Sequence, residues 1–123
     1  MTLVDFYTHV LRALKVVPPN GTALGEDIQR VKDVYPVVHA YLLERRLIDF
    51  AAADAVPNKY VIPLTKVVAY QLTDDFSVPD MILAKLKSEG ELDAKPIVSK
   101  GEIQLRKLMD QAYVPSDLQI EYF

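Results

Sequence analysis

Few residues in this sequence are of a type and spacing to do chemistry. The candidates are His9 and His39, the acidic pair Asp74-Asp75 and the basic pair Arg45-Arg46. A helical zinc pair needs a second ligand four residues on, and neither histidine has one. His9 falls on the polar stripe of a first helix and His39 flanks the apolar stripe of a second. Both read as solvated or half-buried side chains. Asp74 and Asp75 could serve as a general base or cation ligand. Adjacent residues do not face each other on a helix, however, so the pair reads as a solvated turn. Gly21 and Gly25 are not followed by the lysine of a phosphate loop. The absence of cysteine excludes disulfide frameworks, thiol nucleophiles and thiolate metal sites. The spacing therefore predicts no catalytic residue, no metal ligand and no cofactor. An enzyme of unrecognised type would have to gather distant groups, such as His39 with Asp33 or Asp74. Arg45-Arg46 could meet a phosphate or an acidic partner, although cations are favourable at a helix C-terminus in any case. Tyrosine gives large contact area with a polar tip and is enriched at interfaces. Of the seven tyrosines, Tyr7 and Tyr35 fall on core stripes. Tyr113 and Tyr122 are the better contact candidates.

A length of 123 residues fits one domain. A hydrophobic fraction of 50% with 25% charged residues is that of a globular chain. No apolar run approaches the ~20 residues of a membrane helix, and MTLVDFYTHV has no basic flank ahead of an apolar stretch, so a signal peptide is not expected. The net charge of −3 does not suit a nucleic-acid binder. All of that imbalance lies after residue 50.

Eight prolines divide the chain into short helical segments. In the first, Thr2 can cap and Leu3, Phe6, Tyr7, Val10, Leu11 and Leu14 recur at helical spacing, up to a turn at Pro18-Pro19-Asn20-Gly21. In the second, Thr22 is the expected cap and Leu24, Ile28, Val31, Tyr35, Val38 and Leu42 form the stripe. Pro36 inside it predicts a kink or break near 32–36. Residues 47–62 are β-prone and could pair as a small hairpin or serve as a long connection. A third helix is expected from Pro63 to Phe76, and a fourth from Ser77 with Asp80 at the capping-box position. A fifth is expected with Ser99 and Glu102 as its capping box and Leu105, Leu108, Met109 and Ala112 on its buried side. The fourth and fifth could form one interrupted arm. After Pro115, residues 117–122 alternate polar and apolar side chains with the period of a strand. A lone strand must pack on its own domain or add to another chain. The expected architecture is an all-α bundle of four to five helices over residues 1–113, with an extended tail over 114–123.

The order of these features resembles the head-to-tail adaptor proteins of tailed bacteriophages, also called head completion or packaged-DNA stabilisation proteins. In that family a first helix ends in a Leu-Gly-Val-like turn, where this chain has Leu14-Lys15-Val16. A second helix, opened by Ser/Thr and acids, ends near a Gly-Leu, where this chain has Arg46-Leu47-Ile48. A proline-led third helix corresponds to Ile62-Pro63-Leu64 through Val78, with Ser77 where the family has glycine. Glu121-Tyr122-Phe123 is similar to the family's short termini.

The resemblance implies a non-enzymatic virion protein, assembled in the host cytoplasm. It implies a ring of copies, usually twelve, docked on the portal protein. Such a ring extends the DNA channel, lets DNA pass without specific binding, and presents a surface to the next tail component. Portal docking by strand addition is expected through Leu118, Ile120, Tyr122 and Phe123. Twelve copies of a −3 chain carry roughly −36, enough to shape the field of a channel. The alternative is a small cytoplasmic helical regulatory or partner-binding module, whose tail would pack on its own domain.

Overall fold

The computed structural model describes residues 1–18 and 21–109, and within them the protein is all-α. The helices are α1 (Leu3–Ala13), α2 (Gly25–Glu44), α3 (Val61–Gln71) and α4 (Asp80–Gly90). A further helix, α5, covers residues 100–109.

α1 begins as expected, with the Thr2 hydroxyl accepting the Asp5 N–H at 3.2 Å. Its apolar stripe buries Phe6, Tyr7, Val10 and Leu11. α2 does not start at Thr22. Leu24 holds the cap position in extended backbone and the helix opens at Gly25, with Glu26 and Asp27 in its first turn. Leu24, expected on the buried stripe, is exposed, whereas Val31, Tyr35, Val38 and Leu42 are buried as expected. The predicted break at Pro36 does not occur either, because α2 runs on to Glu44. Pro36 and Lys32 both face solvent. The Lys32 carbonyl that loses its intrahelical partner can therefore bond to water, which removes the main penalty of a mid-helix proline.

Both α1 and α2 close in the same way. The Val16 N–H reaches the Leu11 carbonyl (3.1 Å) and the Lys15 N–H reaches that of Arg12 (3.0 Å). Leu47 and Arg46 repeat the pattern on Leu42 (2.9 Å) and Leu43 (3.0 Å). This is the Schellman arrangement, in which the residue after the cap must turn left-handed. Lys15 (φ 64°) and Arg46 (φ 60°) do so without being glycine. A side chain in that region costs ~1–2 kcal/mol, and replacing it by glycine recovers that cost less the ~0.5–1 kcal/mol of extra backbone entropy that glycine loses on folding. The double variant Lys15→Gly/Arg46→Gly is expected to melt about 4–8 °C higher than the natural chain. Thermal unfolding followed by circular dichroism checks this.

No strand occurs among the described residues, so the suggested hairpin at 47–62 is replaced by a connection. Leu47, Ile48 and Val56 turn into the core, and burial alone accounts for their apolar character. Val56 exchanges two backbone hydrogen bonds with Met1, at 2.9 and 3.0 Å, which ties this connection to the start of α1. A 3-10 turn at Asn58–Tyr60 then leads directly into α3, two residues earlier than Pro63 suggested.

α3 is the central element. It packs against α1, α2 and α4 and buries Leu64, Val67, Val68 and Ala69. It ends at Gln71, short of Phe76, and hydrogen-bonded turns follow. α4 begins at Asp80 and not at Ser77. A residue before proline is held extended, so Val78 cannot join a helix ahead of Pro79. α4 and α5 are separate helices joined by residues 91–99. The Ser99 oxygen accepts the Glu102 N–H at 3.3 Å, as the capping box predicted. Two glycines allow close approach between helices, Gly90 to α3 and Gly101 to α4 and α3. A β-carbon on Gly90 would lie 2.0 Å from the Lys66 carbonyl oxygen, and one on Gly101 would lie 2.6 Å from that of Glu89 and 3.3 Å from that of Pro63.

Candidate functional site

The buried histidine has a structural partner. His39 lies on the inner side of α2, and its Nε2 is 2.7 Å from the Phe50 carbonyl oxygen. A carbonyl can only accept, so Nε2 carries the proton and donates it there. Its ring also stands edge-on to Tyr35 and to Phe50, inside an aromatic series running from Phe6 through Tyr35 to Tyr60. Neither acid suggested as its partner meets it. Asp33 is exposed and accepts a 2.8 Å hydrogen bond from Gln29, and Asp74 is exposed in the turn after α3. His9 is half-buried on α1. Among the described residues, no three His, Asp or Glu side chains stand close enough to share a metal ion.

Two linked polar clusters fasten the 91–99 connection to the helices. In the first, Arg45 donates to the Tyr41 hydroxyl (2.8 Å) and pairs with Asp93, while the Tyr41 hydroxyl donates to Asp93. Arg45 therefore meets an acid of its own chain, where the sequence left a phosphate, an acidic partner or a solvated helix end open. In the second, the buried Glu102 carboxylate accepts the Asp93 N–H at 2.9 Å and the Arg106 guanidinium at 2.8 and 3.1 Å. Asp93 is thus held at both its side chain and its backbone, in a left-handed conformation (φ 59°) that a short acid tolerates.

The hydrogen bond from Arg45, followed by that from Tyr41, holds the Asp93 carboxyl below its ordinary value of 3.8. The Asp93 bond is also the first cause of the raised Tyr41 hydroxyl. A carboxyl depressed on folding stabilises the fold above its unfolded pKa, and the stability is lost as pH falls through the folded one. The melting temperatures of the natural chain and Asp93→Asn are therefore expected to differ slightly at pH 7 and to draw together as pH falls below the ordinary carboxyl value of 3.8. A pH series of thermal melts reads this out.

Two grooves on the described surface have mainly apolar linings. One, of about 350 Å³, is lined by Val37, Val38, Tyr41, Gln71 and Leu92. The other, of about 260 Å³, lies between α3 and α5 and is lined by Lys59, Ile62, Pro63, Gln104, Lys107 and Leu108. Apolar floors with polar edges are the make-up of contact surfaces between proteins. Neither groove is legible in the sequence, because each is assembled from segments distant along the chain. Leu118, Ile120, Tyr122 and Phe123, with Tyr113, lie outside the described residues, as does the boundary between bundle and tail. Among the described residues, no helix is long and apolar enough to cross a membrane.

The chain matches no family model, no curated protein and no solved structure.

Proposed function

We propose that this chain is a structural, non-enzymatic subunit of a bacteriophage head-to-tail adaptor. On this reading it forms a ring on the portal, extends the DNA channel and offers the next tail component its attachment surface. Its place is the virion, at the junction of head and tail. The observation that carries the reading is the way α1 and α2 end. The resemblance places a glycine after each helix, at the positions held here by Lys15 and Arg46. Those two residues take the left-handed conformation for which glycine is the usual choice. The backbone at these two positions has the form that a glycine-ended helix would take, which supports the reading. Helix order and the proline in the first turn of α3 agree with the same pattern.

The portal contact is assigned to Leu118, Ile120, Tyr122 and Phe123. An extended segment can add to a sheet edge on a partner, with alternate side chains filling pockets. Leu118→Asp combined with Ile120→Asp puts charges where apolar anchors are needed, and is expected to abolish co-sedimentation with portal rings while leaving the melting temperature within ~2 °C. Unchanged co-sedimentation would remove the tail from the contact.

A further inference from the structure

The groove between α3 and α5 has one sign of charge. Its ionisable lining residues are Lys59 and Lys107, both exposed, and the positive N-terminal end of α3 begins two residues after Lys59. Ile62, on the first turn of α3, is 61% exposed although most of that helix is buried. Leu108, which lines the groove, precedes the last described residue, Met109. The chain therefore leaves the described bundle beside this groove. Residues 114–123 carry Asp117 and Glu121 and no base, alternating with Leu118, Ile120 and Tyr122.

We propose that residues 114–123 occupy the α3–α5 groove of their own chain, with Leu118, Ile120 and Tyr122 inward and with Asp117 and Glu121 on the outer face, where the long, exposed side chains of Lys59 and Lys107 at the rim reach them. The charges are opposite, and the apolar side chains match the exposed Ile62 and the half-buried Leu108. Four residues, 110–113, separate Met109 from the segment, and four residues can span at most ~14 Å. A short tether holds its segment at roughly millimolar effective concentration, so even a weak contact is occupied. A second copy at ordinary concentrations cannot compete with that. The contact does not depend on the adaptor reading. It gives the free subunit a covered tail, which any partner that binds the tail more tightly can withdraw.

The chain has no cysteine, so Gln119→Cys gives the full-length protein a single attachment point for a nitroxide label. The expected result is that the amide signals of Lys59, Ile62, Gln104, Lys107 and Leu108 lose most of their intensity relative to the reduced label. Adding Lys59→Glu and Lys107→Glu, both surface changes, should restore that intensity. Absent broadening at the groove, broadening centred elsewhere, or broadening that survives both lysine changes overturns the proposal. In a mixture of isotope-labelled chains without nitroxide and nitroxide-labelled chains without isotope, no broadening is expected. Broadening there assigns the tail to a neighbouring copy and overturns the same-chain contact. Portal binding is not read in this experiment, so its failure leaves the adaptor reading standing.

Discussion

Gly90→Ala is expected to destabilise the protein by about 2–3 kcal/mol, a drop in melting temperature of roughly 8–12 °C. The added β-carbon would stand 2.0 Å from the Lys66 carbonyl oxygen, 2.7 Å from its carbon and 3.0 Å from the Tyr70 β-carbon. The first two are backbone atoms of α3, so no side-chain rotation relieves the overlap, and α3 and α4 must move apart. Alanine is intrinsically better than glycine in a helix interior by ~1 kcal/mol, but Gly90 is the last residue of α4, where the gain is smaller. Sterics therefore outweigh propensity. Gly25→Ala is the control, because nothing lies within 4 Å of its β-carbon position. It should leave the melting temperature unchanged or slightly raised. A Gly90→Ala variant as stable as the natural chain would contradict the close crossing of α3 and α4.

Phe6→Ala is expected to cost more, about 3–5 kcal/mol. Phe6 is fully buried, and its ring centroid lies 5.4 Å from that of Tyr35 and 6.4 Å from that of Tyr7. Removing it opens a cavity where α1 meets α2, and the aromatic series from Tyr35 through His39 to Phe50 loses its end support. Against a typical stability of ~5–15 kcal/mol, such a loss brings a chain of this size close to unfolding. Chemical denaturation with an unchanged m-value would show that the loss is in stability and not in the denatured state.

The helical core was legible because its signal is local. Phe6, Val10 and Leu11 repeat at helical spacing, as do Val31, Tyr35, Val38 and Leu42, and all are buried. Errors arose where a local rule was answered by context. Pro36 marked a break that solvent exposure made unnecessary. Leu47 and Ile48 looked like strand residues because burial in a connection selects the same side chains. Thr22 and Ser77 could cap, but Leu24 and Pro79 hold those positions. The polar clusters were not legible. Arg45 and Asp93 stand 48 residues apart, and no periodicity links them. The spacing of Ser99 and Glu102 marks a capping box, and the Glu102 N–H does bond to Ser99. Its carboxylate turns instead to Asp93 and Arg106, a choice that depends on where residues 91–99 fold back. The turns at Lys15 and Arg46 carry no local signal, because neither residue is a glycine, and only the family resemblance marks their positions.

The adaptor reading is tested most directly by negative-stain imaging of the full-length chain mixed with the portal ring encoded in the same genome. A closed ring of copies, coaxial with the portal channel and seated on its tail-facing end, is the expected result. Portal rings that remain bare at saturating concentrations of the chain would contradict the reading.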